Sequence, residues 1–145
     1  MRPAGGLEGP GGSVILPPAQ RAEMIALARA GAPAEVCGVL AGDFGRVARV
    51  YPVTNLDADP RRYHMDPKGL LQSIRALDNL GMELLGFYHS HPSSLAVPSE
   101  TDLALAFYPE SYYAIISLRT PDAPDVRFFR LRDGAFAETE VRSED

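Results

Sequence analysis

The chain is 145 residues long, enough for one domain with a real core. Its net charge of -5, with Lys68 the one lysine among 14 basic residues, offers no electrostatic footprint for nucleic acid or an anionic membrane. The lone cysteine, Cys37, excludes an internal disulfide framework and suits a reducing compartment, so a cytoplasmic protein is expected.

No apolar run approaches the ~18 residues of a membrane span, and the first residues lack an apolar signal core. Residues 1–12 are rich in Gly and Pro and are expected to be disordered, leaving 13–145 as a single domain. Val14-Ile15-Leu16 predicts a short strand closed by Pro17-Pro18. From Ala19 to Ala30 the spacing predicts a helix, with Met24, Leu27, Ala28 and Gly31 on one face and Gly31 and Pro33 as stop signals. Glu35 heads an apolar run that reaches Gly42. After Asp43-Phe44-Gly45 turns the chain, Val47, Val50, Tyr51 and Val53 continue as the second arm of a hairpin.

Residues 54–62 read as a polar, solvated loop, and Tyr63-His64-Met65 as a short strand. Asp66 and Pro67 have the character of an N-cap and first position of a second helix, buried through Leu70, Ile74, Leu77 and Gly81. A strand from Glu83 to His91 and a third helix from Ser99 to about Tyr108 follow. Tyr112 to Leu118 reads as a buried strand. Val126-Phe128-Leu131 and Ala135-Val141 form a terminal hairpin turned at Asp133-Gly134. The mixture predicts an α/β layered domain with a central mixed sheet.

The chemistry concentrates between Gly86 and Asp102. Two of the three histidines, His89 and His91, stand one residue apart at the end of an apolar strand. Residues i and i+2 of a strand face the same way, roughly 7 Å apart at Cα, so both imidazoles can converge on one ion. Pro92 ends the ladder because it has no N–H to donate. Ser99 and Asp102 then open a helix on one face of its first turn. Two imidazoles and a carboxylate make a three-ligand metal site with an open fourth position.

Blander readings compete. Ser99-x-x-Asp102 is also a helix cap of the capping-box kind, a role compatible with ligation because hydroxyl and carboxylate lie at the same helix end. Glu35, on local grounds, reads as a strand-edge acid in water. Cys37 reads as a small buried hydrophobe, His64 as structural or substrate-side, and Ser90, on the opposite strand face, as a packing residue or one that supports the site from behind.

Taken together, Glu35 before Val-Cys-Gly-Val-Leu-Ala-Gly, then His89-Ser90-His91-Pro92, then Ser99-x-x-Asp102, resembles the JAMM (MPN-plus) metalloprotease family. The similarity runs from about Ser13 through most of the chain. It implies a three-layer α/β/α, cytidine-deaminase-like fold and a zinc-dependent (iso)peptidase. On this resemblance His89, His91 and Asp102 hold one Zn²⁺ per chain with water as fourth ligand. Glu35 is then the general acid/base and the Ser99 hydroxyl an oxyanion donor. The implied substrate is a ubiquitin-like or sulfur-carrier β-grasp protein, cut after its C-terminal glycine. The alternative within the family is a non-catalytic scaffold, whose members have usually lost these ligands. Two His and one carboxylate can also hold Fe(II). A cytidine-type deaminase is disfavoured by the missing P-C-x-x-C element. Ser90 and the acidic charge argue against DNA-repair-associated relatives. A homodimer through Val14–Leu16 or an uncovered sheet edge stays open.

Overall fold

A computed structural model of the chain describes residues 13–57, 59–104, 108 and 110–144. The expectation for residues 1–12 lies outside the described set. The elements in chain order are β1 (Val14–Ile15), α1 (Pro18–Gly31), β2 (Cys37–Asp43), β3 (Arg46–Val53), α2 (Pro67–Asn79) and β4 (Glu83–His91). They continue with α3 (Glu100–Ala104), β5 (Tyr112–Ser117), β6 (Asp125–Arg132), β7 (Ala135–Thr139) and β8 (Val141–Arg142). All eight strands belong to one mixed sheet ordered β7-β6-β5-β4-β2-β3-β1-β8. This is the expected α/β architecture with a central mixed sheet.

The centre of the sheet is built from the runs with the least polar interruption. β2, β4 and β5 are buried along nearly their whole length, as strands covered on both faces must be. On one face α1 packs through Met24, Ile25 and Ala28 against Leu40, Tyr88, Tyr112 and Phe128. On the other, Leu77 of α2 joins Val39, Phe87 and Tyr113. Asp66 caps α2 as expected, its carboxylate accepting from the Lys68 N–H, with Pro67 opening the helix.

Turns follow the sequence closely. β2 and β3 pair antiparallel from Cys37↔Val53 to Asp43↔Arg46, turned by Phe44 and Gly45, both at positive φ. The β6–β7 turn is Asp133-Gly134, again at positive φ. Two expectations need correction. Tyr63-His64-Met65 is not a strand; its one ladder contact is the isolated bridge Asn55↔Met65. The last hairpin arm also stops early, at Thr139. After Glu140, Val141–Arg142 pairs parallel with β1 at the far end of the strand order. One intervening residue spans only about 7 Å, so the two ends of the sheet are drawn together and the sheet curls around α1. The third helix is described only as far as Ala104; the remainder of its expected span lies largely outside the described residues.

The pairing of β4 decides where chemistry can occur. β4 runs antiparallel to β2 and parallel to β5. A parallel neighbour requires a crossover, and the 92–111 segment carrying α3 supplies it. The crossover leaves from the carboxyl end of β4, so the start of α3 stays beside His89 and His91. Close approach of β4 and β5 depends on Gly86, where a Cβ would collide with the carbonyl oxygen of Tyr112. Gly86→Ala is expected to destabilise the fold by about 1–3 kcal/mol, the usual cost of overpacking, measured by denaturant unfolding. A variant as stable as the wild type would refute this account of the β4–β5 contact.

Candidate metal centre

His89 and His91 close β4 and are 3% and 5% exposed. Asp102, in the first turn of α3, is 5% exposed. The three side chains gather as the sequence spacing predicts. His89 Nε2 lies 3.1 Å from Asp102 Oδ1, His91 Nε2 lies 3.0 Å from Asp102 Oδ2, and the two Nε2 atoms are 3.2 Å apart. One ligand atom from each residue falls within a 4.8 Å cluster.

The tautomer of His91 makes this cluster informative. Its Nδ1 stands 2.8 Å from the Leu95 carbonyl oxygen, which can only accept, so Nδ1 carries the proton. In the neutral ring Nε2 then offers a lone pair alone, and it faces a carboxylate oxygen and a second imidazole nitrogen. Such an arrangement needs a proton or a cation between the groups. Two imidazoles and a carboxylate are also a donor set that suits Zn²⁺, so the residues present fit the group.

Asp102 is held on its far side as well. The Ser99 N–H donates to Asp102 Oδ2 at 2.9 Å, and the Asp102 N–H donates to Ser99 Oγ at 3.0 Å. Cap and cluster therefore share one carboxylate, the double role considered from sequence. Because Ser99 Oγ accepts here, its own O–H remains available to donate. Burial would raise the Asp102 pKa, but the imidazoles of His89 and His91 and the Ser99 N–H outweigh it and hold the carboxyl well below the usual range. Complete burial lowers the pKa of His89 despite its bond to Asp102. Burial also opposes charge on His91, yet its bonds to Asp102 and Leu95 raise the pKa above the ordinary value.

Glu35 is not the solvated strand-edge acid that local reading favours. It is 3% exposed, and its Oε1 is buried with no hydrogen-bond partner among the described residues. It precedes β2, where Cys37 pairs with His89, so Glu35 stands beside His91. Burial pushes its pKa up to about 8; the attraction of His91 works against this, and the charges of Asp102 and Asp59 add to it. Three contacts clamp its backbone. Its N–H donates to the Asp59 carbonyl, its carbonyl accepts from Asn55 Nδ2 at 3.0 Å, and the next N–H, of Val36, donates to Ser90 Oγ at 2.8 Å.

The 54–62 loop is solvated as expected, most of its described residues being exposed, but it also braces Glu35, a role that sequence reasoning missed. Ser90 ties β4 to the same segment, the supporting role left open for it from sequence. Tyr63 was also missed: its ring stacks on His89 with centroids 4.7 Å apart. No local pattern marks any of the three, since each acts on a residue distant in sequence. Cys37 matches its expected role: it is 1% exposed, donates weakly to the Val53 carbonyl and has a thiol pKa pushed up to about 12 by burial. His64 is exposed, with its N–H bonded to Asn55 Oδ1. Among the described residues no helix is long and apolar enough to cross a membrane.

The family model of prokaryotic homologues of the JAB domain matches residues 17–132. The CysO-cysteine peptidase of Mycobacterium tuberculosis is 39% identical over 120 residues, covering 81% of this chain and 82% of that protein. The desampylase of Haloferax volcanii is 44% identical over 104 residues, covering 67% of this chain and 75% of that protein. The solution structure of a Desulfitobacterium hafniense protein superposes with a TM-score of 0.84 at 38% identity, covering 91% of this chain and 93% of the other. By sequence, by fold and by the buried His-His-Asp cluster, the chain belongs to the prokaryotic JAB-domain branch of the JAMM/MPN hydrolases.

Proposed function

We propose that the protein is a zinc-dependent metallo-(iso)peptidase that cuts after the C-terminal glycine of a ubiquitin-like or sulfur-carrier protein. The carrying observation is the convergence of His89, His91 and Asp102 beside a buried acid whose free oxygen has no other partner. The names of the relatives, a CysO-cysteine peptidase and a desampylase, support the substrate class.

His89 and His91 through Nε2, with one Asp102 oxygen, would hold the ion. Bound zinc supplies Lewis acidity, which brings the pKa of water from 15.7 to about 7. Glu35 accepts the proton of the attacking water and delivers it to the departing amine. A carboxyl with a pKa lifted toward neutrality can do both. The Ser99 hydroxyl donates to the carbonyl oxygen as negative charge develops on it. The Leu95 carbonyl fixes the His91 tautomer throughout.

Purified protein is expected to hold one zinc per chain by elemental analysis, and Asp102→Asn to lose it. Stoichiometric retention in the Asn variant would remove Asp102 from the ligand set. With a Gly-Gly-tailed fusion as substrate, Glu35→Ala should keep zinc while kcat drops by about 10²–10⁴. Ser99→Ala should cost roughly 10²–10³. Unchanged kcat in zinc-loaded Glu35→Ala would contradict the acid/base role.

The raised Glu35 pKa also has a thermodynamic sign. In metal-free protein the folded pKa of about 8 exceeds the ordinary 4.5. The wild type therefore gains stability from protonated Glu35 that is full below pH 4.5 and lost as pH rises through 8. Glu35→Gln cannot titrate. In the presence of a chelator, its stability relative to wild type should grow between pH 5 and pH 8.5, by up to a few kcal/mol. Denaturant unfolding at both pH values reads this, and a pH-independent difference would show that Glu35 ionises normally.

A further inference from the structure

Next to the metal centre lies a cavity of about 190 Å³ that the reaction does not use. The rings of Tyr63, Phe87, Tyr108 and Tyr113 line it, and Met65 and Leu70 complete the wall. Tyr63 is the ring stacked on His89, so one side chain borders both the cavity and the cluster. An apolar cavity of about 150 Å³ is enough for benzene; this one takes a single aliphatic or aromatic side chain. Among the described residues no carboxylate or guanidinium lines it. The Tyr113 hydroxyl is occupied, accepting from the Tyr108 N–H and donating to the Tyr108 carbonyl. Besides the hydroxyls of Tyr63 and Tyr108, His64 is the other polar side chain among the described residues of the wall, and it is exposed.

The sheet register decides which part of a substrate can reach this cavity. Phe87 lies two residues before His89 on the same face and pairs with Tyr113 of β5. Glu35 lies on the opposite flank, beyond β2 and at the level of His91. The cavity and Glu35 therefore stand on opposite sides of His89. In the proposed reaction the leaving nitrogen must meet Glu35, which sends the acyl side, the tail of the carrier, toward the cavity. An extended chain advances about 3.3 Å per residue, so the third residue from the end stands roughly 7–10 Å from the scissile carbonyl. Phe87 is about 7 Å from His89 at Cα by the same rise. The last two residues, glycines in the proposed substrate class, have no side chain to offer.

We propose that this aromatic cavity is a specificity subsite receiving an apolar side chain at the third residue from the carrier's C-terminus. The assignment rests on the peptidase reading for its direction but concerns binding, so the two can fail separately. The test uses three fusions of one β-grasp carrier that differ only at that position, as Leu, Gly or Arg. Zinc-loaded enzyme should cut the Leu form with kcat/KM about tenfold or more above the Gly form, the scale of one well-filled apolar pocket. The Arg form should be no better than Gly. Calorimetric binding of the free carriers to metal-free protein should follow the same order. Met65→Trp, which fills the cavity, should bring the Leu-to-Gly ratio near one. Tyr108→Ala, which opens it, should also lower the ratio and serves if the Trp variant fails to hold zinc. Equal rates for Leu and Gly, a preference for Arg, or a Leu preference untouched in both variants would overturn the subsite. So would selectivity that follows the leaving residue instead of the tail. Absence of cleavage with all three carriers would sink the peptidase reading, while the binding order would still decide the subsite.

Discussion

Two imidazole nitrogens and the two oxygens of one carboxylate have been brought close together in a place that water scarcely reaches. At 3.0–3.2 Å such lone-pair-bearing groups attract one another only where a hydrogen, with its partial positive charge, or a cation lies between them. A proton can supply that charge, and the raised pKa of His91 is its signature. A dication supplies more of it. Burial sharpens the choice, because the low-dielectric interior penalises every ionised group that lacks a partner. The rest of the domain can be understood as the scaffold that makes this costly arrangement stable enough to persist.

Much of that work falls to backbone topology. β4 contributes the two clustered histidines through its two-residue period, and its parallel pairing with β5 forces the chain to cross over from its carboxyl end. Asp102 is delivered by that crossover and is then pinned by the capping exchange with Ser99. The same carboxylate thus closes a helix end and completes the cluster. On the antiparallel side, the Cys37↔His89 pairing sets the register that leaves Glu35 beside His91. The acid is kept there by Asn55, Asp59 and Ser90, none of which touches the cluster through its side-chain charge.

What could be read from sequence was whatever has a short-range code. Alternation along Glu83–His91 announced two co-facing histidines, and Ser99 with Asp102 carried the capping pattern. Asp66-Pro67 and Asp133-Gly134 marked a helix start and a turn, and all of these appear in the structure. Long-range features had no such code. A two-residue strand such as Val141–Arg142 has too little pattern to reveal that it abandons its hairpin for β1. Tyr63-His64-Met65 has strand-like composition, but its backbone bonds with Asn55 and its aromatic ring packs on His89. The burial of Glu35 was hidden for the same reason: its surroundings come from a loop twenty or more residues away.

The metal-free chemistry of Glu35 and His91 has a further physical consequence for how the site fills. Burial lifts the Glu35 pKa to about 8, so this acid is largely protonated at neutral pH, and the bonds of His91 to Asp102 and Leu95 favour its protonated form. A divalent ion held there would compete with protons on these groups and favour the ionised form of Glu35, so metal affinity is expected to weaken as pH falls. The burial that raises the Glu35 pKa in the metal-free protein would, beside a cation, leave it the intermediate basicity that the proposed acid/base role demands.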